Sequence, residues 1–194
     1  EQRLGFCSEL RRQTKPMLIA ANKADIPGTE ETLKRLKADF PDYTIVPMSA
    51  ESELALKEAD KHELIDYIPS HDSYVKKGGL SEKQERALSF IKNSVLKRFG
   101  GTGVQNVVDT AVLDVLGMIP VFPGGANKLG DKDGNILPDC FLLPPKSTVL
   151  DFAYHIHSDI GDGLLHGIDC RSGRQIGGDH ELDHRDVVEL VTTG

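Results

Sequence analysis

The chain has 194 residues, 39% of them hydrophobic and 27% charged, which is enough apolar surface for one or two cores and rules against wholesale disorder. The first hundred residues carry 17 Lys and Arg against 16 Asp and Glu, and the remainder 6 against 14, so the acidic second half argues against broad contact with a phosphate backbone, which needs cations. Three scattered cysteines (Cys7, Cys140, Cys170), no apolar run of about 18 residues and no signal-peptide pattern point to a reducing cytoplasm and away from a membrane.

Residues 1–12 read as the end of a helix with Leu4, Leu10 and Phe6 or Cys7 on its apolar side, broken at Lys15-Pro16. Met17 to Ala21 is a short continuous apolar run, the pattern of a parallel strand covered on both faces. Thr29 is placed to cap a helix over 30–40, with Leu33, Leu36 and Phe40 on one side. Tyr43 to Met48 is a second strand rich in β-branched residues, and a helix is expected over 53–67. Strand, helix, strand, helix predicts a parallel α/β sheet.

Pro69 to Gly79 reads as a loop. Ser81 with Gln84 or Glu85 opens a helix reaching Arg98, whose apolar side is Leu88, Ile91, Val95 and Leu96. Gly100-Gly101-Thr102-Gly103 is expected to be a joint between helices, followed by a helix over 104–116 that Gly117 ends. From Met118 the texture changes to short strands between Gly, Pro and Asp turns: strands at Met118 to Phe122, Cys140 to Leu143, Leu164 to Asp169 and Val187 to Thr192, with a turn at Asp131 to Gly134. Thr148 caps one helix from Val149 to about Ser158. Strands wrapped round a single helix predict a small α+β domain of the β-grasp type.

The chemistry concentrates at two strand ends. Asn22-Lys23-Ala24-Asp25 follows the first strand, where open α/β sheets bind ligands. The Asp25 carboxylate can accept two hydrogen bonds from the ring N–H and exocyclic amino group of guanine, a contact that adenine cannot make. The Lys23 stem can lie along the base and the Asn22 side chain can tie neighbouring loops. The tetrapeptide is short, and its weight comes from context: the second strand ends in Ser49-Ala50-Glu51, followed by a helix.

With these two elements in order, the chain resembles the Obg-like GTPases, in the archaeal and fungal branch related to YchF. Val46 to Leu56 resembles that branch, as does Phe99 to Gln105, and Ser147 to His157 is similar to the helix of a TGS domain, named for threonyl-tRNA synthetase, GTPases and SpoT-like proteins. The resemblance implies the second half of a Ras-like domain at residues 1–70, a helical region at 71–117 and a TGS domain at 118–194. It also implies that Ser49-Ala50, with Glu51 beside it in the guanine site, supplies backbone N–H groups to the guanine oxygen. Asn22-Lys23-Ala24-Asp25 is the guanine form of a tetrapeptide that differs in the ATP-preferring members. GTP or GDP is therefore the implied ligand, with Mg²⁺ in the full-length protein, and a ribosome, an RNA or a protein is the implied partner of the TGS domain.

Glu1 rather than Met opens the chain, which points to a piece of a longer protein. No Gly-x-x-x-x-Gly-Lys-[Ser/Thr] occurs, and no Asp-x-x-Gly precedes Asn22, so this polypeptide is expected not to hydrolyse GTP by itself. Two other readings stay open: an interaction module whose G-domain remnant is a scaffold, and, remotely, a zinc hydrolase. His180-Glu181-Leu182-Asp183-His184 spells the His-Glu-x-x-His of zincins, but glycines precede it and a strand follows, where a zincin needs a long helix. His155 and His157 are two residues apart, a helical spacing that points them to different sides, so packing or hydrogen bonding is their expected role.

Overall fold

The computed structural model describes residues 2–125 and 139–193; the turn expected at Asp131 to Gly134 lies outside them. The chain forms two compact units, Glu1–Leu116 and Gly117–Gly194.

In the first unit, helix α1 (Gln2–Thr14) leads into strand β1 (Leu18–Ala21), helix α2 (Thr29–Asp39), strand β2 (Thr44–Pro47) and helix α3 (Ala50–Lys61). β1 and β2 pair in parallel, Leu18 opposite Thr44 through Ala21 opposite Pro47, as the α/β reading expects. Two local expectations change. β1 is only partly covered, with Ala20 exposed, because its sheet has two strands among the described residues. Of the apolar side expected on α1, Phe6, Cys7 and Leu10 are exposed, and the Leu4 side chain lies outside the described ones.

Thr29 does not cap α2. Gly28 takes that place with φ of +86°, and the Thr29 hydroxyl instead donates backwards to the carbonyls of Ala24 and Ile26. Helix α3 starts and stops earlier than expected. Ser49 caps it by accepting from the Ser52 N–H, and Glu63, in a left-handed conformation, marks the turn after it. The chain then extends as β3 (Ile65–Asp66), antiparallel to β4 (Val75–Lys76) within the expected loop.

The expected long helix is present as α4 (Glu82–Ile91), a π-helical stretch (Lys92–Leu96) and a last turn, α5 (Lys97–Phe99). Ser81 and Gln84 form its capping box. Leu88, Ile91, Val95 and Leu96 are buried with Leu56, Ile65 and Tyr67 in one core. Leu88, Ile91, Val95 and Leu96 are the apolar side that the helical spacing predicts, so the π-helical stretch leaves that side facing the core. After Gly100 to Gly103, α6 (Val104–Asp109) runs into a second π-helical stretch (Thr110–Val115), and Gly117 follows with φ of +64°.

The second unit is the α+β fold that was expected. Its strands are β5 (Ile119–Pro123), β6 (Phe141–Leu143), β7 (Leu164–Asp169), β8 (Arg174–Ile176) and β9 (Val187–Thr192), in the sheet order β6-β5-β9-β7-β8. β5 and β9 are parallel and the other pairs antiparallel. Helix α7 (Val149–Ile156), fixed by a capping box between Thr148 and Asp151, lays Val149 and Phe152 into the core with Val121, Leu143, Leu182 and Val188. Sequence patterning misses β8 and the short α8 (Ser158–Asp162). α8 begins where His157 leaves the helical conformation and its Nδ1 accepts from the Asp159 N–H. His155 stands edge-on to Phe141, so both histidines hold structure locally.

Candidate functional site

The loop after β1 is pinned through several of its backbone groups. The Ala24 N–H donates to the Met48 carbonyl at 3.0 Å, and the Ile26 N–H donates to the Lys23 carbonyl at 3.2 Å. The Ala24 carbonyl accepts from the Thr29 hydroxyl at 3.1 Å and from Arg98 Nη1 at 3.4 Å. Lys23 sits at φ of +64°, a region that non-glycine residues enter at a cost. It is held there in part by its own N–H, which donates to Asn22 Oδ1 at 2.8 Å.

The same Asn22 oxygen accepts from the Ala50 N–H at 3.1 Å. One carboxamide thus ties the loop after β1 to the first turn of α3, at the carboxyl ends of two parallel strands. Ala24 is buried, whereas Asn22 and Lys23 are exposed and Asp25 is half-buried. The Asp25 carboxylate makes no hydrogen bond or ion pair among the described residues, so both its oxygens are available as acceptors.

The turn at Ser49 to Glu51 is equally constrained. Ser49 is 1% exposed; its N–H donates to the Thr102 carbonyl at 2.8 Å and its hydroxyl donates to Ser52 Oγ at 2.8 Å. The N–H groups of Ser49 and Ala50, the two that the resemblance assigns to a ligand oxygen, are therefore engaged within the protein. The Glu51 N–H, next in the same turn, has no partner among the described residues.

A buried polar cluster lies beneath that turn. Glu53 is 6% exposed, and its Oε2 accepts from the Tyr67 hydroxyl at 2.9 Å and the Thr102 hydroxyl at 2.6 Å. Lys57 approaches its other oxygen at 3.5 Å. Burial first, and then the hydrogen bond to and charge of Glu53, push the Tyr67 hydroxyl well above its ordinary value. Arg98, at the end of α5, also forms an ion pair with Glu30 at 2.9 Å in the first turn of α2.

Sequence reasoning did not find Glu53, Tyr67, Thr102 or Arg98. The one visible signal was Gly-Gly-Thr-Gly at 100–103, read as a helix joint. It is also a close approach: a Cβ on Gly103 would lie 2.2 Å from the Pro47 carbonyl oxygen.

The zincin pattern has no helix to stand on. His180 to His184 is turn and extended chain, and Glu181 bridges to Thr148 across antiparallel backbone. Without a helical turn the two histidines do not share the face that zinc ligation requires.

Comparison with known proteins bears on the same residues. A family model described as "Obg-like GTPase YGR210-like, G4 motif-containing domain" matches residues 20–124, and a TGS domain model matches residues 129–192. A GTP-binding protein of Methanocaldococcus jannaschii is 42% identical over 193 residues, covering 99% of this chain and 49% of the relative. A GTP-binding protein of Schizosaccharomyces pombe is 29% identical over 143 residues, covering 69% of this chain and 35% of that protein. The crystal structure of a GTP binding protein from Pyrococcus horikoshii OT3 superimposes with a TM-score of 0.73 at 41% identity, covering 98% of this chain and 49% of that one. The chain thus spans about half the length of the archaeal relatives it matches.

Proposed function

We infer function from one premise: the chain belongs to the YGR210-like Obg-like GTPases and carries their G4-motif domain together with a TGS domain. On our reading it is the base-reading and docking portion of a GTP-binding regulatory switch. Asp25 accepts from the guanine ring N–H and amino group, the Lys23 stem covers the base, and the Ser49 to Glu51 turn presents a backbone donor to the guanine oxygen. The observation that carries this reading is the double acceptance at Asn22 Oδ1, which joins the Asp25 loop to that turn.

The unpartnered Asp25 carboxylate fits guanine. The residues of this chain do not fit Mg²⁺, since the sequence holds no phosphate loop with its Ser or Thr hydroxyl; we place the metal with phosphate-binding residues outside this sequence. The TGS unit is the docking module in this reading. It directs the switch to a ribosomal, RNA or protein partner in the cytoplasm, through a local contact rather than an extended phosphate track, given its acidic charge. No helix among the described residues is long and apolar enough to cross a membrane.

The test is equilibrium titration of the purified chain with GDP and ADP, alongside Asp25→Asn. GDP is expected to bind in preference to ADP. Asp25→Asn is expected to weaken GDP by at least about tenfold and to favour xanthosine diphosphate, whose ring carries a carbonyl where guanine has its amino group. Equal, unselective binding of GDP and ADP that Asp25→Asn leaves unchanged would instead support a scaffold role for this half.

A further inference from the structure

We propose that the Arg98–Gly103 segment is the positioning element of the guanine site, Arg98 holding one base-reading loop and Thr102 the other; the proposal rests on the guanine-reading function inferred above. The segment lies far along the chain from both loops, yet it contacts each. Arg98 reaches the Ala24 carbonyl at 3.4 Å with one nitrogen and Glu30 at 2.9 Å with another. Its guanidinium lies 4.7 Å from the centre of the Phe99 ring, which limits its swing. Ala24 and Glu30 stand on either side of the bend that carries Asp25 into α2, so one planar fork spans that bend.

Four residues on, Thr102 does the corresponding work for the second loop. Its carbonyl accepts from the Ser49 N–H and its hydroxyl donates to buried Glu53. Gly103 then lets the chain pass against Pro47 and Met48, where a Cβ has no room.

Two of these contacts, at the Ala24 carbonyl and the Ser49 N–H, fall on backbone atoms next to the groups that read the base, the other two join side chains behind them, and none falls on the base itself. A bidentate carboxylate contact tolerates little displacement, so loosening either anchor lowers discrimination before it lowers folding. The half-exposed Arg98–Glu30 pair contributes little to global stability, which makes its effect on binding separable from its effect on the fold. Arginine is required for the fork, because an ammonium is a point donor that cannot span both partners.

The experiment compares binding of GDP and of inosine diphosphate, which lacks the 2-amino group, by the full 194-residue chain and its variants. Arg98→Ala is expected to lower GDP affinity by about tenfold and to narrow the preference for GDP over inosine diphosphate, with an unchanged melting curve. Arg98→Lys should remain impaired. Thr102→Val should show the same loss, and Thr102→Ser, which keeps the hydroxyl, should restore it. If Thr102→Val fails to fold, Arg98→Ala and Thr102→Ser still decide. An Arg98→Ala chain with the parent's affinities and the parent's ratio overturns the proposal. Asp25→Ala separates the two levels. Loss of GDP preference in Asp25→Ala with none in Arg98→Ala rejects the positioning role alone. A parent chain with no GDP preference, unaltered by Asp25→Ala, rejects the base-reading function and the positioning role with it.

Discussion

A methyl group added at Gly103 would lie 2.2 Å from the Pro47 carbonyl oxygen and 2.9 Å from the Met48 Cα, at a φ of +81° that side chains avoid. Both problems are backbone against backbone, so no rotamer relieves them. Gly103→Ala is expected to destabilise the first unit by about 2–4 kcal/mol, read as a lower urea midpoint at unchanged slope. An unshifted midpoint would mean that β2 can move away freely. Asn22 and Asp25 were legible in the sequence because they are neighbours in one tetrapeptide after an apolar run. Gly103 was not, since its reason for being glycine lies in Pro47 and Met48, which only the fold brings close. Thr29 shows a third case: a residue of the right type for a cap whose hydroxyl finds two carbonyls instead, because Gly28 already bends the chain.

Helix α3 is held at its start by Ser49 and Thr102 and along its inner side by Glu53, whose carboxylate depends on Tyr67 and Thr102 for its hydrogen bonds. Tyr67 is raised above its ordinary value of 10.0 by burial first and by Glu53 second. A raised tyrosine contributes stability that is fully present below the unfolded value and is lost as the pH climbs from there towards the folded one. The unfolding free energy of the first unit should therefore be insensitive to this group up to about pH 10 and decline above it. Tyr67→Phe should cost about 1–2 kcal/mol at neutral pH and show a shallower alkaline decline, measured by chemical denaturation across the pH series; an identical decline in the variant would assign the alkaline loss to other groups. At this scale the sequence was readable where a repeat of apolar residues or a capping box marked an element, as for α4 and α7. It was unreadable where pairing decided the structure, as for β3 with β4 and for β8. The π-helical stretches also escaped it, because a widened turn leaves the residue types unchanged.

The molecule has two cores, one round Leu56, Val95 and Leu96 and one round Phe152 and Val121. Apolar spacing marked Leu88, Ile91, Val95 and Leu96 of the first core in advance, whereas the polar cluster at Glu53 could not be picked out, since a buried carboxylate looks like any surface acid in one dimension. Chemistry is divided more sharply than folding. On the proposed function the chain carries base-reading groups, and its sequence holds no phosphate loop, so the purified polypeptide is expected to release no phosphate from GTP above background; turnover in a phosphate-release assay that persists through repeated purification and is lost in Asp25→Ala would overturn this. One feature of the first unit bears on handling the protein. The β1–β2 pair has no further strand beside it among the described residues, and a strand edge without a neighbour is in general a template for another extended chain. Self-association should thus grow with concentration through main-chain pairing rather than through surface charge. Dilution would suppress it where added salt would not, and samples for binding work are best kept dilute until the moment of titration.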